Sequence, residues 1–253
     1  MSRTAIILGS NCESVSSRIK IENTIPFSAI PGFPEIAQSV PGHALEVLIG
    51  TIDGASVLCY NGRMHCYQGL TPYEVSANVR HAYHAGCDTV IIATGAATLG
   101  DSPQIGELMA VTDHINVRGD SPLIGPTVLF PDDVPFVDMY NAYDPKLVEV
   151  AEKVAAKQGI TLRKGVQVCM VGPQYLTPFE ASFFSKAGCS TVSLSGVAEV
   201  IQARALGMRV LCISNINSHA GQPTKRRPVD EMLVKSSDNL GHLIAGVVTE
   251  ISK

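Results

Sequence analysis

The sequence predicts an α/β fold: a single domain over residues 1–253 with a mixed central β-sheet flanked by helices. Three observations carry that expectation. Short apolar runs rich in Val and Ile alternate with segments of helical period along the whole chain. With 253 residues, 22 glycines and no tryptophan, the chain can bury one large core, and nothing marks a split into two. Finally, Asp53-Gly54 sits between two apolar runs, which signals an antiparallel hairpin inside the βα alternation and makes the sheet mixed.

In chain order, Ile6-Leu8 begins a strand that stops at Gly9-Ser10-Asn11, and Leu45-Ile52 with Ala55-Tyr60 forms the hairpin. Thr71 is an N-cap with Pro72 at the first helical position, and Val75, Val79 and Tyr83 give that helix a buried stripe ended by Gly86. Thr89-Thr94 reads as a fully buried strand, followed by Leu108-Val111. The stretch Pro122-Asp144, with several Pro and Asp and little periodicity, reads as a long loop that is mobile or covers a site. Pro145-Lys157 is helical, with Gly159 just past its end. Val166-Val171 is a strand, Pro178-Ala187 a helix, and Thr191-Leu194, Val197-Leu206 and Arg209-Ile213 a strand, helix and strand. From about Val229, the apolar positions Met232, Leu233, Leu240, Leu243, Val247 and Ile251 describe a helix that packs across the sheet.

A net charge of -4 gives no reason to expect nucleic acid or an anionic membrane as partner, so any anion site is local, made by a few convergent donors. The amino-terminal apolar run is too short for a secretory core or a membrane span, which points to the cytoplasm. Seven cysteines without CxxC spacing, several inside apolar runs, read as reduced core residues. The seven histidines lack metal spacing, so no metal is expected.

In open α/β sheets, ligands collect beyond the carboxyl ends of strands. There this chain places Ser10, Gly95-Ala96-Ala97-Thr98, Tyr175-Leu176, Ser193-Leu194-Ser195 and Ser214-Asn215-Ile216-Asn217. The densest chemistry lies in Gly62-Arg63-Met64-His65-Cys66-Tyr67-Gln68-Gly69. In an extended segment, Arg63, His65 and Tyr67 share a face. Such a face is either an anion site with an aromatic neighbour or the polar outer side of an edge strand.

The ordered words Ile7-Leu8-Gly9-Ser10, Val40-Pro41-Gly42-His43, Gly62-Arg63-Met64-His65-Cys66-Tyr67, Thr94-Gly95-Ala96-Ala97, Asp113-His114-Ile115-Asn116, Gly172-Pro173-Gln174-Tyr175 and Ser195-Gly196-Val197-Ala198-Glu199-Val200 resemble the trimeric purine nucleoside phosphorylases and their methylthioadenosine phosphorylase relatives. The resemblance covers essentially the full chain. It implies a homotrimeric pentosyltransferase of purine salvage. Such an enzyme uses inorganic phosphate as co-substrate and no cofactor to split a nucleoside into free base and (deoxy)ribose 1-phosphate.

By that resemblance, phosphate is held by Ser10, His43, Arg63, His65, the backbone at Ala96, and Ser195. The nucleoside is held by Tyr67, Ala97, Tyr175, Leu176, Leu194, Asn217 and Val229, and His65 and Asn217 are the catalytic pair. Taken singly, Ser10 also reads as a turn residue, Ser195 as the cap of the following helix and His43 as an ordinary loop residue. His114, Asn116 and Glu199 read as part of the fold, Glu199 with the further option of orienting a neighbour. His81, His84 and His242 are left as surface or core residues.

The base end departs from the family. Leu176 stands where the purine enzymes carry a Glu that holds the ring N–H groups of a 6-oxopurine, and a leucine accepts no hydrogen bond. Asn217 is aligned with the Asn that serves N7 of the leaving base, while ungapped counting from Ser214 gives Ser218 instead. The 5′-hydroxyl contact falls near Val229 or Asp230, and valine suits an apolar 5′ substituent. Leu194 replaces a usual Met, Gly95 replaces a frequent Asn, and Asn11-Cys12-Glu13 interrupts a glycine-rich loop. The acidic base contacts of the methylthioadenosine branch are not evident in Asn215-His219. An aromatic lent by a neighbouring subunit falls on Phe130 or Phe136. The alternative is a family member that binds phosphate or a nucleoside without turnover, as a sensor or structural subunit.

Overall fold

The computed structural model describes residues 3–10, 12–36, 40, 42–125, 136–223 and 231–253. Among these, nine strands form one sheet: β1 (Arg3–Leu8), β2 (Lys20–Pro26), β3 (Glu46–Ile52), β4 (Ala55–Asn61), β5 (Cys87–Thr98), β6 (Leu108–Asn116), β7 (Leu162–Cys169), β8 (Cys189–Ser193) and β9 (Arg209–His219). The helices are α1 (Pro72–Val75), α2 (Ala77–His84), α3 (Pro145–Gln158), α4 (Pro178–Lys186), α5 (Val197–Ala205) and α6 (Glu231–Ile251). A 3₁₀ turn, Glu13–Arg18, follows β1.

The strand order is β2-β3-β4-β1-β5, and β5 also joins a closed ring that runs β5-β9-β6-β7-β8 and back to β5. Parallel pairs (β1 with β4 and β5, β5 with β9, β6 with β7, β7 with β8) mix with antiparallel ones, so the expected mixed α/β sheet is what the chain forms.

Period-two alternation sorts the central strands onto two cores. Ile6, Leu8, Val57, Cys59, Ile91 and Ala93 face a core built with Leu147, Ala151, Leu240, Leu243 and Val247 of α3 and α6. Their neighbours Ala5, Ile7, Leu58, Tyr60, Val90 and Ile92 face a second core with Val79 of α2 and Val200 and Ala203 of α5. Both faces are covered, which is why these strands read as continuous apolar runs. No described helix is long and apolar enough to cross a membrane.

Local chemistry sets the helix ends. Thr71-Pro72, Asp144-Pro145 and Thr177-Pro178 each place a capping oxygen before a proline at the first helical position. Thr71 and Thr177 close reciprocal boxes with Glu74 and Glu180, and the Asp144 carboxylate accepts from the Lys146 and Leu147 amides at 2.8 and 3.3 Å. The hairpin turns at Asp53 (φ 48°) and Gly54 (φ 85°), pairing Ile52 with Ala55. Six of the seven cysteines are buried, Cys66 being half-buried, and all are free thiols.

Four expectations need correction. Tyr83 is on the exposed side of α2, and the helix from Pro72 breaks at Ser76, whose hydroxyl donates to the Pro72 and Tyr73 carbonyls. Residues 95–98 and 214–219 do not follow their strands but extend them, with parallel pairing continuing from Thr94↔Ser214 to Thr98↔His219. Residues 62–65 lie past the end of β4 and lead into a 3₁₀ turn at Cys66–Gln68, so Arg63, His65 and Tyr67 are not three alternate positions of a strand. The edge strand β2, nearly all of it exposed, had no counterpart in the apolar pattern.

Candidate active site

The site starts where β1 ends. The Gly9 amide donates to the Ala93 carbonyl at 2.9 Å, and a Cβ there would lie 2.9 Å from that same oxygen. Only glycine lets the chain turn this close to β5, and Ser10 is delivered at the seam between the two strands. Its Oγ lies 3.1 Å from Nε2 of His43.

His43 Nδ1 in turn accepts the backbone N–H of Arg63 at 2.8 Å. An imidazole nitrogen that accepts carries no proton, so the proton of the neutral ring sits on Nε2 and points at Ser10. Ser10 thereby accepts from His43 and keeps its own proton for another acceptor. Burial, then the charge of Arg63, lowers the His43 pKa from 6.5 to about 4. Gly62 (φ 113°) is required at this contact, because a Cβ would come within 2.9 Å of the His43 Cβ.

Arg63 is fully buried. Its Nη1 donates to Ser195 Oγ at 2.9 Å, and its Nε lies 3.6 Å from Glu199 Oε1, an ion pair too long for a hydrogen bond. Nη2 has no hydrogen-bond partner among the described residues. Glu199, also buried, accepts the Gly196 amide through Oε2 at 3.2 Å and closes the first turn of α5. Gly196 therefore holds the N-cap position. Ser195 is not that cap, and it too accepts from the protein while retaining a proton to donate.

His65 completes the group. Its ring stacks on Tyr67 with centroids 4.6 Å apart and meets the His43 ring edge-on at 5.2 Å. Burial first, then Arg63 and His43, lower its pKa from 6.5 to about 3, and its Nδ1 is buried without a partner among the described residues. The Gln68 side chain accepts the His65 backbone N–H at 2.7 Å and holds this turn in place.

Ser10, His65, Tyr67, Ala96, Ala97, Tyr175, Leu176, Leu194, Ser195 and Asn217 line one cavity of about 330 Å³. His43 and Arg63 stand behind it, reaching it through Ser10 and Ser195. Val229, Asp230 and Phe130 fall outside the described residues, and Phe136 is exposed. His114 bonds to the Tyr143 hydroxyl at 3.0 Å and so serves the fold.

At the far strand, Ala96 pairs with Ile216 and Ala97 with Ser218, so Asn217 is the extra residue of a β-bulge. The bulge turns both Asn217, the residue preferred from the sequence, and Ser218, its ungapped alternative, to the cavity. Ser218 Oγ donates to Asn217 Oδ1 at 2.9 Å, leaving the amide NH₂ to donate. Gly95 makes room for that group, since a Cβ there would lie 2.9 Å from Asn217 Nδ2. Sequence reading missed Met170, Val192 and the stretch His219-Gln222 in the lining; nothing in their local pattern distinguishes them from ordinary strand ends.

The profile of the phosphorylase superfamily matches residues 3–251. Purine nucleoside phosphorylase 1 of Bacillus subtilis is 36% identical over 252 residues, covering 98% of this chain and 92% of its own. The protein of that name from Geobacillus stearothermophilus is 36% identical over 255 residues, covering 98% of this chain and 91% of its own. Isoform 2 of the Schistosoma mansoni purine nucleoside phosphorylase, solved with cytosine and ribose-1-phosphate, superimposes with a TM-score of 0.89 at 27% identity, over 99% of this chain and 90% of that one. A second purine nucleoside phosphorylase structure, with ribose-1-phosphate, gives 0.86 at 27% over 100% and 91%. Fold, strand-end placement of the site and full-length similarity thus converge: the chain belongs to the phosphorylase superfamily, as a relative of the purine nucleoside phosphorylases.

Proposed function

We propose that this chain is a pentosyltransferase that cleaves the N-glycosidic bond of a nucleoside with inorganic phosphate, releasing the free base and a pentose 1-phosphate. The observation that carries the reading is Arg63: a fully buried guanidinium whose Nη2 lacks a partner among the described residues, grouped with two hydroxyls that already accept from the protein. A buried positive charge is costly, and an oxyanion seated on the hydroxyls in front of it relieves that cost. Phosphate binds to Ser10, His65, the Ala96 backbone and Ser195, with His43 acting through Ser10 and Arg63 through Ser195.

In the reaction the C1′–N bond breaks with its electron pair leaving on the base, and a phosphate oxygen forms the new bond to C1′. The transition state resembles an oxocarbenium ion, so the anion held beside the pentose stabilises it electrostatically. Tyr67 and Leu194 flank the pentose, and Tyr175 packs on the sugar or base. Asn217, with Ser218, donates to the leaving base. Leu176 replaces the charged acceptor that a 6-oxopurine needs, so the base is of another kind. Val229 fits an apolar 5′ substituent. The enzyme works as a one-domain subunit of a cytoplasmic homotrimer, with Phe130 or Phe136 lent to a neighbour's site.

The test is phosphate-dependent base release across inosine, guanosine, adenosine, xanthosine, methylthioadenosine and methylthioinosine. At least one is expected to be cleaved only when phosphate is present. Phosphate binding with no cleavage of any would favour the second reading, a binding protein, for which the loss of a carboxylate at Leu176 argues.

A further inference from the structure

We infer that the base subsite selects nucleosides whose purine base turns an apolar, donor-free edge toward Leu176, such as purine riboside and 6-methylpurine riboside, over the 6-oxopurine nucleosides. This deepens the phosphorylase reading and rests on it.

The wall at Leu176 is the face of a packed cluster and not one isolated side chain. Leu176 is 6% exposed and packs with Leu99, Val168, Ala181, Cys189 and Val192, with Ala97, Met170 and Ala220 against them. Leu176, Val192, Ala97, Met170 and Ala220 all face the cavity. Among the described lining residues there is no carboxylate, ammonium or guanidinium.

A ring N–H pressed on these five apolar side chains gives up water and gains no acceptor from them, whereas a C–H or a methyl group gains contact area. Polar recognition comes from β9 instead. The Asn217 amide, its oxygen engaged by Ser218, offers N–H to an unprotonated ring nitrogen. Electron density builds on that nitrogen as the C1′–N bond opens, so the bond strengthens in the transition state. The subsite therefore pairs a donor on β9 with a hydrophobic wall built on Leu176, in the segment between β7 and α4, together with Ala97 of β5 and Val192 of β8.

The experiment compares kcat/KM at saturating phosphate for purine riboside, 6-methylpurine riboside, inosine and guanosine. In parallel, inhibition by free 6-methylpurine and hypoxanthine removes the influence of leaving-group reactivity. The donor-free bases are expected to lead by roughly tenfold or more in both measurements. Leu176→Gln, which supplies an amide acceptor, is expected to shrink that ratio, while Leu176→Met keeps it. Inosine ahead of 6-methylpurine riboside together with hypoxanthine binding more tightly than 6-methylpurine overturns the inference and leaves the phosphorylase reading standing. Cleavage of none of the four, with 6-methylpurine still the tighter ligand, supports the wall and removes the turnover.

Discussion

The backbone N–H of Arg63 is 2.8 Å from Nδ1 of His43, and this contact fixes which nitrogen of the imidazole carries the proton. A doubly protonated His43 has no lone pair to offer the amide, so acid must break the bond that links the β4 end to Ser10.

A pH dependence of stability follows. The pKa values of His43 and His65 lie at about 4 and about 3, below the 6.5 of an ordinary histidine. Between these values and 6.5 the unfolded chain binds more protons than the folded one. Each imidazole's contribution is therefore present in full above about pH 6.5, and it is lost as the pH falls toward 4 and 3. Urea denaturation between pH 4 and 7 should show stability rising with pH, by on the order of 2 kcal/mol per histidine. His43→Gln should flatten part of the slope. Added phosphate should flatten more, since a bound dianion raises the pKa of His65.

Arg63→Ala should act twice. It removes the charged fork, so the phosphate concentration for half-maximal rate rises sharply. It also strands Glu199 as a buried carboxylate, a loss of roughly 3–5 kcal/mol. Initial rates against phosphate and thermal melts measure the two effects separately. An unchanged phosphate dependence would contradict the assignment.

Gly95→Ala probes the base side alone. The new methyl would press on Asn217 Nδ2 at 2.9 Å and displace the amide. Turnover should drop by about 10–100-fold, with little change in the phosphate requirement. Steady-state kinetics with either substrate varied checks the split.

Gly241→Ala tests packing at a distance. In an open helix this change stabilises by about 1 kcal/mol. Here a Cβ would lie 2.6 Å from both Ser14 Oγ and Arg18 Nε, so α6 would be pushed off the turn Glu13–Arg18. Ser14 and Arg18 also bond to Ser237 and Asp238 of α6, and those contacts go with it. Urea titration should show a loss of about 1–3 kcal/mol.

What the sequence disclosed tracks what is local. The buried strands, the Thr-Pro and Asp-Pro helix starts and the Asp53-Gly54 hairpin announce themselves through period and capping chemistry. β2 does not, because an edge strand with Lys20, Glu22 and Asn23 exposed has no apolar face to betray it. Gly95-Ala96-Ala97-Thr98 reads as lying beyond the end of the Thr89-Thr94 strand, yet pairing with β9 keeps it extended. The bulge at Asn217 is a matter of register between two strands 120 residues apart, as the Thr94–Ser214 contact illustrates. The Arg63–Glu199 pair likewise exists only once β4 and α5 meet.

The closed ring has a last consequence. A sheet that returns on itself at β5 leaves β2 as the one strand, among those described, whose outer side is unpaired. Foreign strands seeking backbone partners would have to dock there. Lys20 and Glu22 present charge along this margin, and Pro26 lacks an amide hydrogen. Self-association by strand addition is thereby discouraged at the one open margin among the described strands.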